Sequence, residues 1–215
     1  MPQSDKLIME MKSKGEYDVT CGKLQLKVFQ DVFYYFDSEF MANNLVIPTS
    51  SRVLDLGCGT GVLGFVASEN ANEVICADIS SKAVECTEYN VNYLKLSDKV
   101  KVVQSDLFQN ITGLFDVIIF NIPFNAEKDG LDDLGKSMYD KDGKLLIRFL
   151  DESKNYLTKG GKIILAYSSF GRLDILHKEC KDLNYVIKTI TSMKVNTEDY
   201  IKDEFYIFEI TNLLS

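Results

Sequence analysis

The chain reads as an α/β protein built on one doubly wound sheet of seven strands, mostly parallel, with a C-terminal antiparallel hairpin. Three observations predict this fold. From residue 52 onward, short apolar runs alternate with amphipathic stretches, the pattern of parallel strands joined by crossover helices. The first of these runs, 52–56 (RVLDL), leads straight into a turn with three glycines at alternate positions. The last two runs, 185–191 and 204–210, are close enough in sequence to pair as a hairpin.

At 215 residues the chain suffices for one well-packed domain of this kind. After the Gly-rich turn a helix is expected over 62–70. The run 73–77 (EVICA) is a second strand, ending at Asp78. Ser80 is placed to cap the next helix, which carries Val84, Thr87, Val91 and Leu94 on one face. Residues 100–104 form a third strand. The run 115–120 (FDVIIF) forms a fourth, and its unbroken apolar character suits a strand covered on both faces. A charged loop leads to a helix with Leu145, Leu146, Phe149, Leu150 and Leu157 on one stripe, broken by Gly160-Gly161. A fifth strand (162–167, KIILAY), a helix marked by Leu173, Leu176, Cys180 and Leu183, and the hairpin follow. The expected division is an N-terminal extension over 1–50 on the substrate side, with a short strand at 24–29 and a helix near 38–45, and a main domain over 51–215.

Composition narrows the function. Of the residues, 46% are hydrophobic, and no apolar run approaches the roughly 18 needed to span a bilayer. The N-terminal stretch has no signal-peptide pattern, so the expectation is a cytoplasmic protein with no membrane partner. The five cysteines form no C-x-x-C pair and the single histidine is His177. This leaves no zinc-like ligand set and no Ser/His/Asp triad, so no metal is expected and the thiols read as small packed hydrophobes. The formal net charge is −8, with arginine only at Arg52, Arg148 and Arg172. Such a balance disfavours nucleic acid bound by this chain unaided, because phosphate contacts supply most of that affinity. A basic partner subunit could supply the missing surface.

The chemistry concentrates in Val53-Leu54-Asp55-Leu56-Gly57-Cys58-Gly59-Thr60-Gly61. Glycine permits positive φ and close approach of a ligand to the backbone. A plain strand–helix turn would explain a lone G-x-G. Here the strand, the Asp two residues before the first Gly and the following helix all stand in the order a nucleotide site requires. Gly59, Gly61 and Gly64 also spell G-x-G-x-x-G, which keeps a dinucleotide-dependent dehydrogenase open. Asp78 closes the second strand about 20 residues on, where a carboxylate can hold both ribose hydroxyls of a nucleoside. Asp106, in Ser105-Asp106-Leu107, can accept from an adenine amine, although Asp is common at strand ends. Asn121-Ile122-Pro123-Phe124 ends the fourth strand. Ligands of open α/β sheets bind outside the carboxyl ends of the strands, so this tetrapeptide faces the reactive end of the site. Asn121 offers a carbonyl and an amide, Pro123 stiffens the turn and Phe124 offers a flat apolar face.

VLDLGCGTG, then ADIS, SDLF and NIPF, resembles the class I S-adenosylmethionine-dependent methyltransferases, with their Rossmann-like fold. It is most similar to the branch whose fourth strand ends in N-P-P-Y or N-P-P-F, which includes release-factor glutamine methyltransferases and the amino methyltransferases of DNA, rRNA and tRNA. Ile122 stands at the first Pro of that motif and Phe124 at the commoner Tyr. Asp37-Ser38-Glu39 resembles the acidic and hydroxyl triplet that precedes the fold in this branch. The resemblance covers about 28–210 and implies S-adenosylmethionine as cofactor. It implies Asp55, Gly57, Gly59 and Gly61, with Cys58 between them, along the methionine part. It implies Asp78 on the ribose, Ile79 against the adenine, and Asp106 and Leu107 at the adenine border. Asn121 and the Ile122 carbonyl would accept hydrogen bonds from a planar nitrogen group, with Phe124 stacked on its plane. The release-factor enzymes carry a helical substrate domain before the fold, for which residues 1–20 are too short.

The expected reaction is methyl transfer to a nitrogen of a protein, peptide or small molecule. A nucleic-acid amino methyltransferase and a non-catalytic partner subunit are the alternatives. The loop 126–143 carries Glu127, Asp129, Asp132, Asp133, Asp140 and Asp142. It reads as a solvated loop, or else as a lid favouring a cationic substrate.

Overall fold

The computed structural model describes residues 3–126, 128, 132–195 and 203–213. Before the main sheet come α1 (Gln3–Lys14), the hairpin of β1 (Tyr17–Cys21) and β2 (Leu24–Val28), and α2 (Phe36–Asn43). The Gly-rich unit is β3 (Arg52–Leu56) and α3 (Val62–Ser68), followed by β4 (Glu73–Asp78), α4 (Ser81–Tyr93) and β5 (Val100–Gln104). Next are β6 (Phe115–Asn121), α5 (Asp133–Lys136), a 3-10 turn at Lys141–Gly143, α6 (Lys144–Ser153) and β7 (Leu157–Ser168). The chain ends with α7 (Leu173–Asp182), β8 (Tyr185–Val195) and β9 (Asp203–Asn212).

The strands order as β5-β4-β3-β6-β7-β9-β8, parallel from β5 to β7 and antiparallel at β9 and β8. Strand order reverses at β3 and β6, which places a crevice at their carboxyl ends. Alternation along β3 sends Leu54 and Leu56 to one face, against Phe149 and Leu176, and Val53 to the other, against Met41 and Phe65. Val117, Ile118 and Ile119 of β6 are all fully buried, as expected for a strand covered on both faces.

Three expectations are corrected. Leu157 does not continue the α6 stripe, and Gly160-Gly161 does not end a helix. Both lie within β7, where Leu157 pairs with Phe115. The helix stops at Ser153, and the edge of β6 recruits the next residues into the sheet. A Cβ at Gly161 would come within 2.9 Å of the Phe115 carbonyl oxygen, so close strand approach, and not helix breaking, explains that glycine. Ser80 stands at the N-cap of α4 without capping through its side chain; its hydroxyl donates to Asp133 Oδ2 at 2.9 Å.

The sequence reading lacked α1 and β1. Leu7 and Met11 of α1 bury against Leu134, and Lys12 pairs with Asp132. The hairpin is tied to α4 by Asn90, whose amide bonds both the N–H and the carbonyl of Lys27 at 2.9 Å and also reaches the Thr60 carbonyl at 3.0 Å. All five cysteines are buried free thiols. Among the described residues, no helix is long and apolar enough to cross a membrane, and no group of His, Cys, Asp and Glu is arranged to hold a metal ion.

Candidate active site

The turn after β3 is shaped by left-handed backbone. Gly59 has φ 55°, and its amide donates to Asp78 Oδ2 at 3.0 Å while its carbonyl accepts from Thr87 Oγ1 at 2.9 Å. Gly61 has φ 86° and starts α3 directly above the Phe65 ring, where a Cβ would lie 2.3 Å from Cζ. A side chain at Gly61 would therefore be strained and would clash with the core. Asp78 also accepts from the Ser80 amide at 2.9 Å. The carboxylate thus links the Gly-rich loop to the start of α4. Burial raises its pKa, and these N–H bonds oppose the rise.

A cavity of about 340 Å³ opens at the carboxyl ends of β3, β4 and β6. This is a usual size for a small-molecule or cofactor site. Gly57, Cys58 and Gly59 line it from the loop. Asp78, Ile79, Asp106 and Leu107 line it from the ends of β4 and β5, and Asn121 and Pro123 from the end of β6. Ile79 is 55% exposed although apolar, which leaves a free flat-ligand surface beside Asp78. Asp106 is gripped by Arg148, whose Nη1 lies 2.9 Å from both carboxylate oxygens.

Three predicted residues stand elsewhere. Asp55 is fully buried behind the loop and does not line the cavity. Its Oδ2 accepts from the Gly64 amide at 2.8 Å, bracing α3 against β3, and its Oδ1 has no partner. Burial pushes its pKa up to about 7, helped by the charge of Asp78 and opposed by the Gly64 bond. Gly61 is not among the lining residues, although its neighbours Thr60 and Val62 are, and a Cβ there would run into the Phe65 ring. Phe124 turns from the cavity into an aromatic cluster, with ring centroids 6.2 Å from Tyr167 and 5.5 Å from Phe205, both edge-on.

Asn121 has a partner that the sequence reading did not assign. Its Nδ2 donates to Asp37 Oδ2 at 3.1 Å, and its Oδ1 is buried without a partner. Asp37, in the first turn of α2, is 4% exposed and also accepts from the Ser38 amide at 3.0 Å. Burial raises its pKa against both bonds. The triplet Asp37-Ser38-Glu39 was a visible signal, but its contact with Asn121 joins residues 84 positions apart.

The acidic loop is built into the structure where it is described; Glu127 and Asp129 lie outside the described residues. Asp132 caps α5, accepting from the Gly135 amide. Asp140 accepts from the amides of Leu145 and Leu146 at the start of α6. Asp133, Lys136, Ser137 and Tyr139 form one wall of the cavity.

The family model described as methyltransferase small domain matches residues 27–196. The chain belongs to this family. A Methanocaldococcus jannaschii protein with the provisional name protein N5-glutamine methyltransferase is 33% identical over 184 residues, 82% of this chain and 92% of that protein. A ribosomal RNA small subunit methyltransferase C from Hamiltonella defensa is 33% identical over 137 residues, 62% of this chain but 36% of that protein. A Pyrococcus furiosus methyltransferase of known structure aligns with TM-score 0.68 and 17% identity, covering 97% of this chain and 98% of that one, a likeness in fold. As a member of this family, the chain is an S-adenosylmethionine-dependent methyltransferase with the Rossmann-like sheet. The cavity suits that cofactor: it sets a carboxylate and an exposed aliphatic face at one end and an unpartnered carbonyl-type acceptor at the other.

Proposed function

We propose that this methyltransferase modifies a planar side-chain nitrogen of a protein, with a glutamine-type amide as the acceptor. The observation that carries the reading is the unpartnered Oδ1 of Asn121 at the carboxyl end of β6, on an amide whose other end is held by Asp37. A buried acceptor oxygen without a donor is costly, and an N–H₂ group on the acceptor would satisfy it. In this reading the Ile122 carbonyl accepts the second N–H and Pro123 fixes the turn. Asp78 would hold the ribose, with Ile79, Leu107 and Asp106 around the adenine and Gly57, Cys58 and Gly59 along the amino-acid end. When bound, S-adenosylmethionine supplies an electrophilic methyl group. The chain's own contribution is to orient the acceptor nitrogen and raise its electron density by accepting its protons in hydrogen bonds.

The name of the relative that matches along nearly its whole length supports a protein amide. The charge of the chain supports it too. The formal net charge is −8, and among the described lining residues Lys136 is the only cation, although Asp31 is paired with Lys82 and Asp106 with Arg148. Phosphate-rich substrates bound by this chain unaided are disfavoured by such a balance. The ribosomal RNA relative supports a second reading, an amino group of a nucleobase presented with a basic partner's help. The two separate in one experiment: labelled cofactor is incubated with lysate divided into protein, RNA and small-molecule fractions. Label is expected in protein, and label confined to RNA would replace the first reading with the second.

A further inference from the structure

We propose that Arg148 is a positioning residue for the base of the cofactor: it fixes the Asp106 carboxylate so that the cavity takes a 6-amino purine and rejects a 6-oxo purine. The proposal rests on the reading that sets Asp106 beside the adenine. It adds what aims that carboxylate and what selectivity follows.

The turn after β5 is strained at this point. Leu107 has φ 45°, in the left-handed region that a bulky side chain rarely adopts, and it is 6% exposed. Such backbone persists only where its surroundings over-determine it. Here they do. Ser105 Oγ donates to the Leu107 carbonyl at 2.8 Å and accepts from the Asn110 amide at 3.0 Å. Asn110 Nδ2 donates to the Gln104 carbonyl at 2.8 Å, and Gln104 Nε2 to the Ile79 carbonyl at 3.0 Å. The strained turn, with Asp106 in it, is thereby tied to the exposed aliphatic face of Ile79.

Arg148 takes Asp106 from outside the cavity. It stands in the second turn of α6 and, unlike Asp106, is not among the described lining residues. Its Nη1 lies 2.9 Å from both carboxylate oxygens and its Nη2 3.4 Å from the Asp106 carbonyl oxygen. Its Nε donates to Glu152 Oε1 at 2.6 Å, one helical turn on. The guanidinium plane is thus fixed, and it engages one acceptor site on each Asp106 oxygen. An ionised carboxylate has about four such sites, so about two remain for the cavity side. They can only accept. An exocyclic amine N–H satisfies one of them, whereas a 6-oxo group sets lone pair against lone pair. The donors of Arg148 are spent outside the cavity and do not compensate. The two side chains are 43% and 38% exposed, so the pair itself contributes little to stability. Its consequence lies in direction: without Arg148 the carboxylate is free to rotate toward solvent, away from the base.

The test is calorimetry on the full chain with S-adenosylhomocysteine and its 6-oxo counterpart, S-inosylhomocysteine. Wild type is expected to prefer the 6-amino ligand by roughly ten- to a hundredfold. Arg148→Gln should cut that preference about fivefold or more, chiefly by weakening S-adenosylhomocysteine, with the melting temperature kept. Arg148→Lys, which cannot reach both oxygens and the carbonyl at once, serves if the Gln variant folds poorly. Lys154→Gln removes another ion pair of the same helix, with Asp151, and should leave the preference unchanged. An unchanged preference in the Arg148 variants, or the same loss in Lys154→Gln, overturns this proposal and leaves Asp106 beside the adenine. No preference in wild type removes Asp106 from the base, and the proposal with it.

Discussion

Asn121 Nδ2 donates to Asp37 Oδ2 at 3.1 Å, and that bond decides which end of the Asn121 amide is left over. With Asp37 ionised, the reversed amide would set its oxygen against a buried carboxylate, an arrangement of two acceptors with no proton between them. The spare group at the end of β6 is therefore an oxygen.

Asn121→Ala should cut the methyl-transfer rate by on the order of 10²–10³ while changing cofactor affinity little, by analogy with other preorganised polar groups that act on a reacting centre. Single-turnover rates and calorimetry on the same preparation check it. Full turnover in this variant would point to an acceptor held by other residues.

Asp37→Asn tests orientation separately from folding. The substitution removes a buried charge whose burial already raises its pKa, so stability should be kept or gained. The new amide can offer either end to Asn121, and the spare group is then no longer fixed as oxygen. A fall in kcat of about tenfold, with KM nearly constant and the melting temperature unreduced, is expected. A parallel loss of stability and rate would make Asp37 a structural residue only.

Asp78→Asn should weaken S-adenosylhomocysteine binding by roughly ten- to a hundredfold, the usual worth of hydrogen bonds to a charged group. Because Asp78 also holds the amides of Gly59 and Ser80, affinity alone does not isolate ribose recognition. The 2′-deoxy analogue does so. Wild type should prefer the ribose form, and the variant should bind both alike. A preserved preference would move ribose recognition away from Asp78.

Asp55 makes stability depend on pH. Its folded-state pKa of about 7 lies above the ordinary value, so the folded chain keeps a proton that the unfolded chain has lost. Stability from this group is full below about pH 4, falls as pH rises toward 7 and is level above that. Asp55→Asn cannot ionise. Its stability relative to wild type should therefore rise between about pH 5 and pH 8, by up to roughly 2.5 kcal/mol for a shift of this size. Urea denaturation at the two pH values measures the difference, and a constant difference would show that Asp55 does not titrate in this range.

The sheet was legible because its signals are local. Val53, Leu54 and Leu56 announce a buried strand, the alternate glycines require a left-handed turn, and Asn121 follows an unbroken apolar run. The failures are all matters of tertiary contact. Leu157 is apolar at helical spacing from α6, yet the open edge of β6 captures it. Helix α1 owes its place to Leu134 and Asp132, more than a hundred positions away. Asp55 has the right spacing for the loop but points to Gly64. Asp37 belongs to a short helix with little amphipathic character, and only folding brings it to Asn121.

The most direct measurement is to locate the methyl group. Protein labelled by the wild-type chain in lysate should be digested and sequenced by tandem mass spectrometry, with Asn121→Ala as the control. A methyl group on a glutamine side-chain nitrogen, absent from the control, is expected. A methyl group on an oxygen or a carbon, or on a nucleobase with none in protein, would contradict it.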